Sequence, residues 1–391
     1  MIKHCFKLIW NQKRKNAYLI TELFILFFVL FLAGFYLIEK MDRYRQGVGS
    51  DIENKYYIQL FTKGDVNQKV ENMQNVKRAL LSNPEVSSVT LTNNAIPYTS
   101  SISSCDIKYE KNFVRSYFRA ADEDFAKIFK PTIIAGRWFT ADEFDNTVSP
   151  IIVDRIMQEK LFDDNNALGK VLVIADNKYE VVGVIDFMKY SDYNKCKPTF
   201  IIPMVKRGVF DEYSIEFGIE VDPKATVNPK KYSEDIFSIL SKDEYVLARS
   251  QNLSAMKISK NSNVGGDIKT TIIVSVFFII NIILGMLGIL GYTINQRRAE
   301  IGLRRAIGAT AKQIRQLLFV EMQLITLLSV LPALILVIQL PLLTDLPIDI
   351  RLFVISVTSS LLFIMTIVGI CVYYPAIMAS RVQPAIALND E

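Results

Sequence analysis

Acid–base and metal chemistry near neutral pH lean on histidine, and this chain has one, His4, among 391 residues. A histidine-based catalytic pair and a multi-histidine metal site are therefore excluded, and no cofactor is expected. Cys5, Cys105, Cys196 and Cys371 are the four cysteines. The acidic run Asp122-Glu123-Asp124 stands where a helix would begin. Helix starts attract acids through the dipole, so the run reads as a solvated cap. Gly169-Lys170 is not a phosphate loop, because Asp164 replaces its first glycine and Val171 stands where Ser or Thr would follow. No paired carboxylates and no serine nucleophile stand out. The residues point to binding rather than to a reaction, and any energy source is expected on another subunit. A net charge of +5 is too mild for a nucleic-acid partner.

The most informative stretch is Gln296 to Gln316, QRRAEIGLRRAIGATAKQIRQ. Wound as a helix, it puts Ala299, Leu303, Ala306 and Ile307 on one side and Arg297, Arg298, Arg304 and Arg305 on the other. Gly308 sits where such a helix would stop. Thr310 followed by Gln313 is a capping-box start for the next helix. On periodicity alone two readings stay open. One is a docking surface for a protein partner; the other is a basic amphipathic loop that holds the protein to anionic membrane lipid.

That loop must be held by what flanks it. Half of the residues are hydrophobic, and the mean hydropathy of +0.23 disfavours an ordinary soluble enzyme. Four segments are long enough to cross a bilayer, which takes about 20 apolar residues. They are 17–38, 270–295, 317–343 and 352–374, and their only acids are Glu22 and Glu321. Both acids lie near the expected inner ends, where snorkelling or contact with a nearby Arg or Lys satisfies them. The first segment is read as a retained helix, because Glu39-Lys40-Met41-Asp42 follows it where a signal peptide would have small residues. Residues 1–16 form an amphipathic piece suited to the inner interface. In the second segment Gly285, Gly288 and Gly291 make a small-residue stripe for helix packing, either at a subunit contact or within one subunit.

Basic residues set the orientation. Lys3, Lys7, Lys13, Arg14 and Lys15 precede the first segment, and Arg297, Arg298, Arg304, Arg305, Lys312 and Arg315 lie between the second and third. The short loop 344–351 holds Asp345, Asp349 and Arg351. Both termini, including the tail 375–391, and the loop 296–316 are therefore expected in the cytoplasm, with 39–269 outside an inner, cytoplasmic membrane.

The outer stretch reads as a large α+β domain of two lobes. One lobe spans about 50–104 and 206–255. In it, strand Tyr56–Leu60, a helix carrying Val70, Met73, Val76 and Leu80, and strand Val86–Leu91 form one βαβ unit. Strand Ser214–Val221, a helix opened by Pro229 and strand Tyr245–Ala248 form another. This predicts a parallel component to the sheet. The inserted lobe, about 105–205, holds strands Phe113–Phe118, Val171–Ile174 and Glu180–Ile185 and helices Asp122–Phe129 and Asp154–Phe162. Gly136, Gly169 and Gly183 mark turns. Cys105 and Cys196 both lie outside, where a disulfide is possible, although two free thiols are the preferred expectation.

Arg297-Arg298-Ala299-Glu300-Ile301-Gly302-Leu303-Arg304-Arg305-Ala306-Ile307-Gly308-Ala309 resembles the cytoplasmic loop of the MacB/FtsX-like ABC-transporter permeases. Ala135-Gly136-Arg137-Trp138-Phe139-Thr140, Glu159-Lys160-Leu161-Phe162, Ala167-Leu168-Gly169-Lys170 and Tyr179-Glu180-Val181-Val182-Gly183-Val184-Ile185 resemble the MacB-type periplasmic core. The end resembles the family's from Tyr374-Pro375-Ala376 to Ala387-Leu388. The resemblance implies four transmembrane helices, a two-lobed outer domain and a dimer with a second permease subunit, identical or paralogous. It further implies a non-catalytic subunit working with a separate cytoplasmic ABC ATPase, by transmitting movement to the outer domain. Arg297, Arg298, Glu300, Gly302, Leu303, Arg304, Arg305 and Gly308 would belong to the ATPase-coupling region. Cargo would be an antimicrobial, a peptide or a lipoprotein, or the work would fall on an envelope partner or adaptor. The third membrane segment departs from the family: it has no glycine and carries Pro332 and Pro341. The alternative function is a membrane sensor whose outer domain binds a ligand and signals through the loop.

Overall fold

Long, predominantly apolar runs such as these satisfy their backbone in a membrane as helices, and four such helices form among the described residues. They are α1 (Lys13–Gln46), α5 (Leu253–Gln296), α7 (Ala311–Thr344) and α8 (Ile350–Ser380), each with an 18-residue window apolar enough to span a bilayer. The computed structural model describes residues 13–62, 66–99, 102–144, 147–163, 165–204, 214–224, 236, 245–344 and 349–380. The amino-terminal amphipathic segment up to residue 12, the helix expected from Pro229 apart from Ile236, the loop 345–348 and the tail from 381 lie outside the described residues.

The chain divides into two compact units, Met1–Met41 with Gly266–Glu391, and Asp42–Gly265. In the helical unit, Leu19, Leu23, Leu26, Phe27 and Leu30 recur every three or four residues along α1 and face inward. Met286 of α5, Met322 and Ile325 of α7, and Ile364 and Val368 of α8 join them in one cluster. The opposite faces are equally apolar, with Ile273, Phe277, Leu284 and Ile370 exposed. A water-soluble bundle would carry charge there; these faces suit hydrocarbon. Pro332 and Pro341 lie inside α7 without ending it.

The second unit is built on an 11-stranded sheet. Its first part orders the strands β11 (Tyr245–Asn252), β1 (Lys55–Thr62), β10 (Ser214–Val221) and β2 (Val86–Asn93), all neighbours antiparallel. Helix α2 (Val66–Leu81) connects β1 to β2, and β10 lies between them. This is a split βαβ arrangement, so the parallel pairing expected for these units is absent. Parallel ladders occur instead in the inserted part, between β4 (Asn112–Ala121) and β9 (Thr199–Pro203) and between β6 (Ser149–Asp154) and β8 (Asn177–Ile185). The two parts share one sheet, joined where β2 meets β4 through the pairs Thr92–Ala121 and Asn93–Ala120. The remaining strands, β3 (Ser103–Tyr109), β5 (Ile133–Gly136) and β7 (Val171–Ile174), pair with β4, β8 and β8 in turn. Short helices α3 (Phe125–Phe129) and α4 (Arg155–Leu161) lie in the same unit, and Asp154 Oδ1 caps α4 by accepting from Met157 N at 2.7 Å.

Two further expectations are corrected. Asp122 is not a solvated cap. It is buried, and its carboxylate accepts from Lys77 Nζ at 2.7 Å, from Leu91 N at 2.9 Å and from the Thr90 hydroxyl. Gly183 marks no turn. It lies within β8, where a Cβ would meet Arg137 O at 2.2 Å, so it is there for close backbone approach. Gly136 and Gly169 do turn the chain, both at positive φ. Cys105 and Cys196 are both free thiols.

Two polar clusters sit inside this unit. Arg119 of β4 is fully buried. It donates to Ala95 O and Met188 O at 3.0 and 3.3 Å and stacks 4.1 Å from the Tyr190 ring centre. Glu216 of β10 and Asp154 act on it electrostatically. The second cluster centres on buried Asp192, whose carboxylate accepts from Tyr98 OH at 3.1 Å and from Asn261 Nδ2 of α5 at 2.6 Å. Lys189 Nζ donates to Asp192 O at 3.0 Å and to Arg43 O of α1 at 2.6 Å, while Tyr193 stacks on Tyr44 at 5.3 Å. The segment 187–197 thus clasps the end of α1 and the start of α5.

Candidate functional site

Between α5 and α7 lies a nine-residue helix, α6 (Arg298–Ala306). Arg297 separates it from α5, its N–H donating to Thr293 O and Ile294 O. Gly308, at φ +104°, ends it, with Gly308 N and Ala309 N donating to Arg305 O and Arg304 O at 3.1 and 2.9 Å. The expected capping box is formed: Thr310 N donates to Gln313 Oε1 at 2.8 Å and Gln313 N to Thr310 Oγ1 at 3.2 Å.

The charges of this segment are mostly spent inside the chain. Arg297 is 8% exposed, and its Nη1 reaches both Glu321 carboxylate oxygens of α7 at 2.9 Å. Its Nε donates to Glu300 Oε2 at 3.2 Å, and Arg304 Nη2 donates to Glu300 Oε1 at 2.6 Å. Glu300 therefore gathers Arg297 and Arg304, and Glu321 fixes Arg297 to α7. Arg305 Nη1 donates to Ala309 O at 3.4 Å. Ile301 and Gly302 face inward, Ile301 joining the helical core.

What α6 presents outward is apolar. Leu303 is 51% and Ile307 78% exposed, with Ala299 and Ala306 exposed beside them and Arg298 and Gly308 at the edges. Of the residues expected in the coupling region, Leu303, Gly308 and Arg298 lie on this open side. Arg297, Glu300 and Arg304 form the brace behind it, with Gly302 buried and Arg305 half-buried. Contact of Glu321 with a nearby Arg or Lys was one of the two ways expected to satisfy it; that Arg297 is the partner, and that Glu300 and Arg304 join it, is what sequence reasoning did not specify. The available signal was Glu321, an acid within an apolar helix that needs a cation. The glycine stripe is also divided. A Cβ on Gly285 would lie 2.3 Å from Glu22 Oε1 of α1, whereas Gly288 and Gly291 have no neighbouring atom within 4 Å among the described residues.

Two families match this chain along its length. The MacB-like periplasmic core domain matches residues 29–237, more than half of the chain, and the FtsX-like permease C-terminal family matches 272–384. The chain belongs to the MacB/FtsX-type ABC transporter permeases. Among curated relatives, the macrolide export ATP-binding/permease protein MacB of Haemophilus ducreyi is 24% identical over 57% of this permease and 32% of its own length. An uncharacterised ABC transporter permease of Bacillus subtilis, YvrN, is 23% identical over 69% of each chain. The permease spans about a third of the length of the first MacB relatives it matches. Among solved structures, the extracellular domain of the noncanonic ABC-type transporter YknZ aligns with 49% of this chain and all of its own, at 17% identity and a TM-score of 0.36.

Proposed function

We propose that this permease is a non-catalytic subunit of a transporter in the cytoplasmic membrane, with both termini and the loop 296–316 in the cytoplasm and the unit Asp42–Gly265 outside. A separate ABC ATPase docks on α6, and its ATP-driven movement passes through the helices to the outer unit. The work is thus delivered beyond the membrane, on an antimicrobial, peptide or lipoprotein cargo or on an envelope partner or adaptor. A second permease subunit, identical or paralogous, completes the assembly.

One observation carries this reading: α6 is pinned from behind by Arg297 and Glu321 while Ala299, Leu303, Ala306 and Ile307 stand open. An apolar helix face held rigidly is suited to a groove on a partner protein, since little ordering entropy remains to be lost on binding. Covering Leu303 and Ile307 contributes about 3 kcal/mol or more, roughly a hundred-fold in affinity. Replacing both, Leu303→Asp with Ile307→Asp, is therefore expected to abolish co-purification of the ATPase while the permease remains folded. Undiminished co-purification would remove α6 as the docking element.

A further inference from the structure

The helical unit carries a groove that the docking reading does not use. It runs between α7 and α8. At the end beside α6, a cavity of about 610 Å³ is lined by Lys312, Arg315, Phe319, Val372 and Tyr373. A second cavity of about 560 Å³ continues it, sharing Phe319 and Tyr373 and reaching Gln323, Leu362 and Ile370. Gly369 keeps the floor low, because a Cβ there would press on the Phe319 ring at 3.2 Å.

The chemistry changes along the groove. Its mouth holds two cations in the first turns of α7, where the helix dipole adds further positive potential. Lys312 is exposed, and Arg315 Nε is buried with no hydrogen-bond partner among the described residues. Tyr373 and Tyr374 stand exposed at the same end of α8, as aromatic residues do at headgroup depth. Beyond Phe319 the lining is almost wholly hydrocarbon. From Lys312 to Gln323 the helix rises about 17 Å, roughly half the thickness of a bilayer's apolar core. A cationic mouth, an aromatic collar and an apolar channel one leaflet long match one molecule: a phospholipid with an anionic headgroup and an extended acyl chain.

We propose that this groove is a specific site for an anionic phospholipid of the cytoplasmic leaflet, its phosphate held by Lys312 and Arg315 and one acyl chain laid along Phe319, Leu362 and Ile370. The charge balance favours an anionic over a zwitterionic headgroup, because the latter brings its own cation to a mouth that already has two. This inference shares with the docking reading only the cytoplasmic placement of the loop. A lipid seated here touches α7 just after the segment that follows α6, so the leaflet's composition bears on the element that receives the ATPase.

The test uses the full-length permease, purified in detergent without the ATPase, and native mass spectrometry. The protein is titrated with phosphatidylglycerol or phosphatidylcholine of matched chains. Phosphatidylglycerol is expected to be retained up to roughly thirty-fold more strongly, the combined effect of two basic groups near an anionic surface. The preference disappears in Lys312→Gln with Arg315→Gln. If that double variant fails to fold, Lys312→Gln alone removes only an exposed ammonium and should still weaken retention several-fold. Equal retention of the two lipids, or a preference that survives the substitutions, overturns the proposal. So does efficient disulfide formation between copies of a Tyr373→Cys variant when isolated native membranes are treated with an added thiol oxidant, which would mean that a second subunit fills the groove. ATPase binding plays no part in the readout, so a negative result leaves the docking reading standing, and loss of docking leaves this one standing.

Discussion

Two buried carboxylates in the outer unit make its stability depend on pH. Burial pushes Glu216 up to about 7, against the lowering effects of the Tyr57 hydroxyl and Arg119, and burial likewise pushes Asp154 up to about 7. A folded-state value above the unfolded one means that the folded protein holds the extra proton. The resulting stability is complete below the unfolded carboxylate range and is lost as pH rises toward 7, at about 1.4 kcal/mol per pH unit for each group. Glu216→Gln keeps the shape and removes one share. Between pH 5 and 7, hydrogen exchange in β10 and β1 should therefore accelerate less in this variant than in the parent; identical profiles would count against the buried neutral acid. At Lys77, replacement by Met strands Asp122 without its cation and should cost about 3–5 kcal/mol. Adding Asp122→Leu should restore part of that, read as recovery in the melting temperature. Neither role was legible in the sequence. Asp122-Glu123-Asp124 has the composition of an exposed helix start, and only the tertiary position of Lys77, 45 residues earlier, turns its first acid inward.

The elements that composition dictates were the legible ones. A run free of charge over two dozen residues has one stable form in a bilayer, and Thr310 with Gln313 announces a helix start by local chemistry alone. Strands β6 and β9 were missed because they are short, buried on both faces and bounded by Pro150 and Pro203, so they show no alternation. In α6 the apolar residues of the pattern share the exposed side, but Arg298, expected opposite them, is exposed at its edge, and the pattern alone left the direction undecided. Which side turns outward depends on Glu321, in another helix. The brace has its own expected signature. Glu321→Gln removes the charge opposite Arg297 while leaving the open face of α6 untouched. Amide exchange across residues 298–306 should rise by at least ten-fold, and ATPase co-purification should weaken without disappearing. Full-strength binding in this variant would mean that the brace is dispensable for docking.

At the largest scale, the clasp formed by 187–197 lies wholly within the unit Asp42–Gly265 and holds the ends of α1 and α5 that belong to it, at Arg43, Tyr44 and Asn261. Asp192→Ala removes the acceptor shared by Tyr98 and Asn261. The ladders of the sheet are expected to keep their exchange protection, while Arg43–Gln46 and Leu253–Asn261 lose theirs. If movement reaches the outer unit through these helices, transport in cells should fall although the ATPase still binds; unchanged transport would place the transmission elsewhere. The sheet beyond the clasp has a consequence of its own. Its two parts are stitched by Thr92–Ala121 and Asn93–Ala120, while β1 and β10 on one side and β3 and β4 on the other each run seven residues in register. The β6–β9 pairing, Ile152–Ile201 and Val153–Phe200, is equally short. A plate creases along its shortest rows of rivets, so a torque on this unit would concentrate at these two seams before the long ladders yield.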